Sequence, residues 1–100
     1  MMKISIVDGR NQRRLILEGK LVAPWVAELK PACESAKADL GDRELVVELK
    51  CIVAINQVGE NVLLELMKEG VKFRGYGVFT RHMLRQLARR VDRNHEEMRT

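Results

Sequence analysis

The segment Glu44–Ile55 constrains the fold more than any other part of this chain. It contains Leu45-Val46-Val47 and also the longest uninterrupted apolar run, Cys51 to Ile55. Such a segment lacks the strict polar–apolar alternation of a strand that exposes one face to solvent. It is typical of a strand buried on both faces. We therefore expect a sheet in which Glu44–Leu49 is the central strand.

An antiparallel hairpin is predicted ahead of this strand. Lys3 to Val7 alternates with a period of two residues, which indicates a strand. Asp8-Gly9 supplies turn chemistry, and Arg14 to Glu18 forms a second strand that we expect Gly19 to end. Two strands joined by a short polar loop favour a hairpin.

The first of three predicted helices lies between the hairpin and the central strand. It begins near Pro24 and is closed by Gly41 as a C-terminal cap. We expect a kink or a split at Pro31, because proline removes one backbone hydrogen bond. The residues at helical spacing that are expected to share its core face are Trp25, Leu29, Ala32, Ala36 and Leu40.

Two more helices are predicted after the central strand, separated by a fourth strand over Val71–Arg74. Asn56 can cap the second helix through its side chain, and Gly70 ends it. Thr80 is expected to cap the third. The resulting order, ββαβαβα, predicts an α/β fold with a mixed four-stranded sheet and about three helices. Residues 1–93 would form a single domain, and residues 94–100 a frayed tail.

Composition indicates the class of the protein and the compartment in which we expect it. The chain has 100 residues, of which 46% are apolar and 32% charged, as in globular domains. Its longest apolar run is far shorter than the roughly 20 residues of a membrane helix, so we expect no membrane insertion. We expect Cys33 and Cys51 to be reduced, buried thiols of a cytoplasmic protein.

No group of residues predicts catalysis, a metal site or a cofactor. Gly75-Tyr76-Gly77 lies between a strand and a helix, but Thr80 stands where a dinucleotide-binding fingerprint needs its third glycine. The cysteines and histidines lack the spacing of zinc ligands. Glu48 is the one carboxylate in an apolar strand, and no histidine lies near it in sequence. A small nucleotide-binding domain is therefore a distant third hypothesis, and we expect no enzyme.

Basic residues follow one face of the third helix. The net charge is +4, and four arginines recur at intervals of four residues: Arg81, Arg85, Arg89 and Arg93. They form either a solvated helix face or a secondary surface for an acidic partner or an anionic lipid. Only 4% of residues are aromatic, which argues against nucleic acid as the partner.

The junction between the central strand and the second helix is the strongest candidate for a binding site. Loops at the carboxyl ends of central strands hold the sites of open α/β sheets, and a helix start offers free N–H groups. Gln57 is expected to point outward beside Val58 and Glu60. Local physics leaves a plain helix cap and a binding site equally open. The candidate partner-binding residues are Asn56, Gln57, Val58, Gly59, Glu60 and Asn61.

These landmarks together resemble the STAS domain of bacterial anti-sigma factor antagonists over residues 3–93. Leu15 to Leu21 resembles the second strand of that family and its glycine turn. Leu45 to Leu49 resembles its central strand, commonly written LVLDL. Ile55-Asn56-Gln57-Val58-Gly59 aligns with the signature I-D-S-[SA]-G. The segments 23–26 and 77–81 resemble a small subgroup of stand-alone bacterial STAS proteins.

The resemblance implies a non-enzymatic protein–protein interaction module in transcription regulation. Family members dock on an anti-sigma factor, often a serine kinase, which phosphorylates the serine after the signature aspartate and so breaks the complex. Here Asn56 replaces the aspartate and Gln57 occupies the position of the phosphoacceptor serine. We therefore expect docking without that phosphorylation switch. The alternative that shares the fold is a STAS accessory subunit docking on the ATPase of an ABC transporter.

Overall fold

The computed structural model describes the backbone of residues 1–99 and the side chains of residues 1–92. The predicted order ββαβαβα and the predicted α/β class are confirmed. A 3₁₀ turn, Trp25–Glu28, precedes the first helix. The strands are β1 (Met2–Asp8), β2 (Gln12–Leu21), β3 (Glu44–Ile55) and β4 (Lys72–Gly75), and the helices are α1 (Leu29–Lys37), α2 (Gln57–Lys68) and α3 (Val78–Arg99).

The four strands form one mixed sheet in the order β1-β2-β3-β4. The β1–β2 pair is antiparallel, as the hairpin pattern predicts, and both β2–β3 and β3–β4 are parallel. Residues 45–49 of β3 are buried on both faces of the sheet, because Val47 and Val46, which point to opposite sides, are 0% and 4% exposed. The prediction that the central strand is buried on both faces is therefore confirmed for this part of β3.

All three helices pack on one face of the sheet. α2 contacts both α1 and α3, and the helices share one apolar core with Leu15, Leu17, Val47 and Leu49. Val46 lies on the opposite face and is not part of that core. The sheet therefore has a helical face and an open face.

A buried carboxylate joins three strands on the open face. Glu48 is 2% exposed, and its two oxygens accept hydrogen bonds from Arg14 Nη1 of β2 and Arg74 Nη1 of β4, each at 3.2 Å. The Tyr76 hydroxyl donates to the same carboxylate at 3.4 Å. The arginines on the two adjacent strands carry the opposite charge and supply hydrogen bonds to the carboxylate, which explains how Glu48 can be buried.

The ends of three elements differ from the predictions. β3, predicted to end at Leu49, continues to Ile55. The helix is split between Glu28 and Leu29, so Pro31 lies in the first turn of α1, where its missing N–H costs little. α1 ends at Lys37, and Gly41, with φ of +67°, belongs to the following turn and caps nothing. Likewise β2 continues past Gly19 to Leu21, and β3 takes up the two register shifts beside Gly19 with one extra residue at each.

Two side chains face differently from the predictions. Because residues 25–28 form a 3₁₀ turn, Val26 is buried and Trp25 is 37% exposed, so the placement of Trp25 in the core was wrong. Thr80 does not cap α3, which begins at Val78; it lies inside the first turn and is 4% exposed.

The two cysteines occupy opposite environments. Cys33 is buried on α1, as predicted, and burial raises the pKa of its thiol to about 11. Cys51 is exposed, so its prediction as a buried residue was wrong. It lies in β3 with φ of +53°, two residues beyond Leu49, the last β3 residue that pairs with β4. The register with β2 jumps from the pair Leu17–Leu49 to the pair Gly19–Ile52, so Cys51 lies in a bulge of β3 and has no partner on β2.

We expect iodoacetamide to alkylate one of the two cysteines in the folded protein. Cys51 is exposed, whereas Cys33 is buried and its thiol stays protonated at neutral pH. Mass spectrometry of the alkylated, digested protein should find the label on Cys51 alone under native conditions and on both cysteines in denaturant. Equal native labelling of Cys33 would contradict the packing of α1.

An arginine inside the fold ties the hairpin to the end of α1. The Arg13 side chain, 9% exposed, donates from Nε to Asp8 Oδ1 at 2.6 Å and from Nη1 to Asp39 Oδ1 at 2.6 Å. Nη1 also donates to the Ala36 carbonyl at 2.8 Å, which satisfies a free acceptor at the helix end. Hydrogen bonds from Arg13 lower the pKa of both Asp8 and Asp39 below the ordinary value of 3.8.

Acid should weaken the fold through these two carboxylates. Because their pKa values are lower in the folded state, their contribution to stability is complete above about pH 4 and is lost as the pH falls through the folded values. We expect the melting temperature of the wild type to drop over this range. The drop should be smaller in Arg13→Gln, which removes the charge responsible; equal drops in thermal melts of the two proteins would show that other groups control the acid response.

The predicted boundary between the domain, residues 1–93, and the frayed tail, residues 94–100, stays untested. α3 is helical to Arg99, whereas the side chains after Asp92 lie outside the described residues, so the frayed tail over 94–100 stays a prediction. Among the described residues no helix is long and apolar enough to cross a membrane.

Candidate interaction site

The connection from β3 to α2 is built on Asn56. Its backbone is extended, with φ of −118° and ψ of −175°, and its Oδ1 accepts a hydrogen bond from Gly59 N–H at 3.0 Å. The predicted cap is therefore confirmed. The Asn56 carbonyl accepts from Glu60 N–H at 2.9 Å and so begins the helical hydrogen-bond pattern. The cap fixes the direction in which the first turn of α2 leaves the sheet.

The first turn of α2 presents polar and apolar side chains to solvent. Gln57, Val58 and Asn61 are exposed, and Glu60 is half-buried, so the predicted outward position of Gln57 is confirmed. Gln57 Nε2 donates to Asn61 Oδ1 at 3.0 Å across one turn. This surface offers amide groups and a 46%-exposed valine, Val58, beside the partial positive charge of a helix start.

Gly59 lies within the 56–61 segment, but it is not exposed to solvent. It is buried, and a Cβ atom built on it would lie 2.1 Å from the carbonyl oxygen of Leu21. Only a glycine lets the first turn of α2 approach the end of β2 this closely. Gly59 therefore sets the distance between helix and sheet and offers no surface to a partner.

Large apolar side chains are exposed at the same end of the sheet. Because β2, β3 and β4 are parallel, the connections that leave them all emerge at their carboxyl ends. Val78 is 84% exposed and Phe79 63%. We call the exposed apolar residues in or next to these connections the carboxyl rim: Trp25, Val53, Val58, Tyr76, Val78 and Phe79.

Most of the carboxyl rim was not predicted as functional. The segment 75–79 was interpreted as a tight turn followed by a helix, and Gly77, with φ of +91°, does make such a turn. The available signal was Val78-Phe79, two large apolar residues placed before the core positions of α3 begin at Met83. Thr80, in the same helical turn, is buried against Gly75 of β4, whereas Val78 and Phe79 remain in solvent.

The predicted basic surface is present on α3. Arg81, Arg85 and Arg89 are exposed, and the side chain of Arg93 lies outside the described residues. None of the three forms an ion pair with a carboxylate whose side chain the structure describes. This surface begins where the carboxyl rim ends.

The comparisons with known proteins identify the fold. No protein-family model and no curated protein matches the sequence. The structure is similar to the crystal structure of an uncharacterised protein of the DUF3478 family, with a SpoIIAA-like fold, from Shewanella loihica PV-4. The TM-score is 0.54 and the identity 19%, over 78% of this chain and 70% of that one.

This similarity supports the resemblance at the level of architecture. The SpoIIAA-like fold is the fold of STAS domains and of anti-sigma factor antagonists. The chain therefore has a STAS-type fold, with the mixed four-stranded sheet and three helices that the sequence predicts.

Proposed function

We propose that this protein is a non-enzymatic, cytoplasmic interaction module of the anti-sigma factor antagonist type, active in bacterial transcription regulation. Its docking surface combines the exposed residues of the 56–61 segment with the carboxyl rim. Its partner is an anti-sigma factor or a related serine-kinase-like protein.

The exposed carboxyl rim is the observation that carries this proposal. Six large apolar side chains lie in or next to the connections at one end of the sheet, and three of them, Val53, Val78 and Phe79, are more than half exposed. Large apolar side chains exposed together at one end of a sheet, beside polar groups, are typical of protein-binding sites. The STAS-type fold supports the choice of partner class.

The identity of Gln57 supports docking without a phosphorylation switch. In the proposed alignment Gln57 occupies the phosphoacceptor position, and an amide cannot accept a phosphoryl group. Thr80, the nearest hydroxyl-bearing residue on α3, is 4% exposed and is inaccessible to a kinase in the folded protein. The partner would therefore be released by another route or held constitutively.

Capture from the cytoplasm of the native organism tests this function. We expect the wild type to capture an anti-sigma factor and the double variant Val78→Ser/Phe79→Ser to lose it, because the variant removes two of the three rim side chains that are more than half exposed. The matched control is Ile6→Ser/Val7→Ser, which removes exposed apolar side chains of β1. Equal capture by all three proteins would contradict the docking surface. Capture of a transporter ATPase would instead contradict the anti-sigma assignment.

A further inference from the structure

A groove runs along the outer edge of the sheet, between β4 and α3. Its volume is about 340 Å³. Phe73 and Arg74 point to opposite faces of β4 and both line it, so the groove passes over the edge of the strand. Its apolar lining comes from Met67, Phe73, Leu84 and Ala88, and its basic lining from Arg74, Arg81 and Arg85.

The edge of β4 carries free backbone groups. Tyr76 N–H donates to the Leu49 carbonyl at 3.1 Å, and the parallel register pairs Leu49 with Gly75. In such a ladder the backbone groups of alternate residues point to the neighbouring strand. Those of Phe73 and Gly75 therefore point away from β3, and no described residue forms a hydrogen bond with their N–H groups. These groups are available to another strand.

Positive charge surrounds this edge. Arg81 and Arg85 are exposed and form no ion pair with a described carboxylate, while Arg74 pairs with Glu48 from the other side of the strand. A second copy pairing through the same edge would bring two sets of these arginines together, and like charges would repel. The charge instead complements an acidic segment.

We propose that this groove binds an extended acidic peptide segment of a protein partner, which adds a fifth strand to the sheet beside β4. The backbone of the segment bonds to Phe73 and Gly75, one of its apolar side chains packs on Phe73 and Leu84, and its carboxylates pair with Arg81 and Arg85. This is a second docking surface, separate from the 56–61 segment. A nucleic acid fits it less well, because Phe73 is its one aromatic residue and the free strand edge matches a peptide backbone.

Peptide binding measured by fluorescence anisotropy tests the proposal. The probe is a labelled peptide of eight residues that alternates glutamate with valine. A peptide with lysine in place of glutamate controls for charge. The acidic peptide with alternate backbone nitrogens methylated controls for strand pairing, since it keeps the charge and loses donors. We expect the acidic peptide to bind, the lysine peptide not to bind, and the methylated peptide to bind about tenfold more weakly.

Variants of α3 locate the site. Arg81→Gln/Arg85→Gln should weaken binding of the acidic peptide about tenfold at low salt. Arg89→Gln/Arg90→Gln removes the same charge from exposed positions outside the groove and should change affinity little. The variant Gln57→Glu should bind the peptide like the wild type, which separates this surface from the one proposed above. Circular dichroism melts should be unchanged in all variants.

Three results would overturn the proposal. Equal binding of the methylated and unmethylated peptides would mean that the strand edge is not used. Equal losses in the two arginine pairs would mean that α3 attracts acidic peptides only through its overall charge. Tighter binding of an eight-nucleotide single-stranded DNA than of the peptide would assign the groove to nucleic acid.

Discussion

Gly59→Ala is expected to destabilise the protein by about 2 kcal/mol or more, which corresponds to a drop of about 10 °C in melting temperature. Alanine in place of glycine within a helix normally raises stability, by up to about 1 kcal/mol. Here the added methyl group would lie 2.1 Å from the Leu21 carbonyl oxygen, so α2 and β2 must move apart. The expected sign is therefore opposite to that of helix propensity.

Gly70→Ala, at the other end of the same helix, is the matched control. Gly70 has φ of +93°, and no atom lies within 4 Å of the position its Cβ would take. Its substitution carries only the backbone strain of the left-handed region, about 1 kcal/mol. Thermal and urea unfolding of both variants measure how much each substitution lowers the free energy of unfolding. A Gly59→Ala variant as stable as the wild type would mean that α2 does not approach β2 as closely as the structure has it.

Gln57→Glu is expected to weaken partner binding by about 1–3 kcal/mol while leaving the fold intact. The carboxylate imitates the charge that a kinase adds in the resembled family, and it would be desolvated at the contact with the partner. A negative charge at the first turn of a helix is favourable, so stability should be equal or slightly higher. Isothermal titration against the captured partner, with melts alongside, measures both effects.

Two further variants separate charge from the loss of the native contact. Gln57→Ala removes the hydrogen bond to Asn61 without adding charge and should bind better than Gln57→Glu. Gln86→Glu makes the same chemical change at an exposed position of α3, outside the proposed surfaces, and should bind like the wild type. If Gln57→Glu binds as tightly as the wild type, the 56–61 segment is a helix cap and the docking surface lies elsewhere.

Features that depend on neighbouring residues were predicted well. The order of strands and helices follows from hydrophobic periodicity, and the Asn56 cap from a side chain suited to a helix start. The buried half of β3 follows from Leu45-Val46-Val47, whereas the apolar run from Cys51 to Ile55 is exposed or half-buried. Each of these depends on a few residues in sequence, which is the range over which such patterns act.

Features that depend on distant parts of the chain were missed. Cys51 is exposed in a bulge of β3, where the register with β2 shifts, and no local pattern states where two paired strands lose their register. The burial of Gly59 depends on Leu21, which lies on another strand. The carboxyl rim gathers residues from three connections, so its members look like isolated apolar residues along the sequence.

Hydrogen exchange of the protein alone and in complex with its captured partner tests the docking surface most directly. The predicted result is slower exchange of backbone amides in the 56–61 segment and in residues 76–79, with β1 unchanged. Slower exchange confined to β1 and the open face of the sheet, with no change at the carboxyl end, would contradict the proposed site.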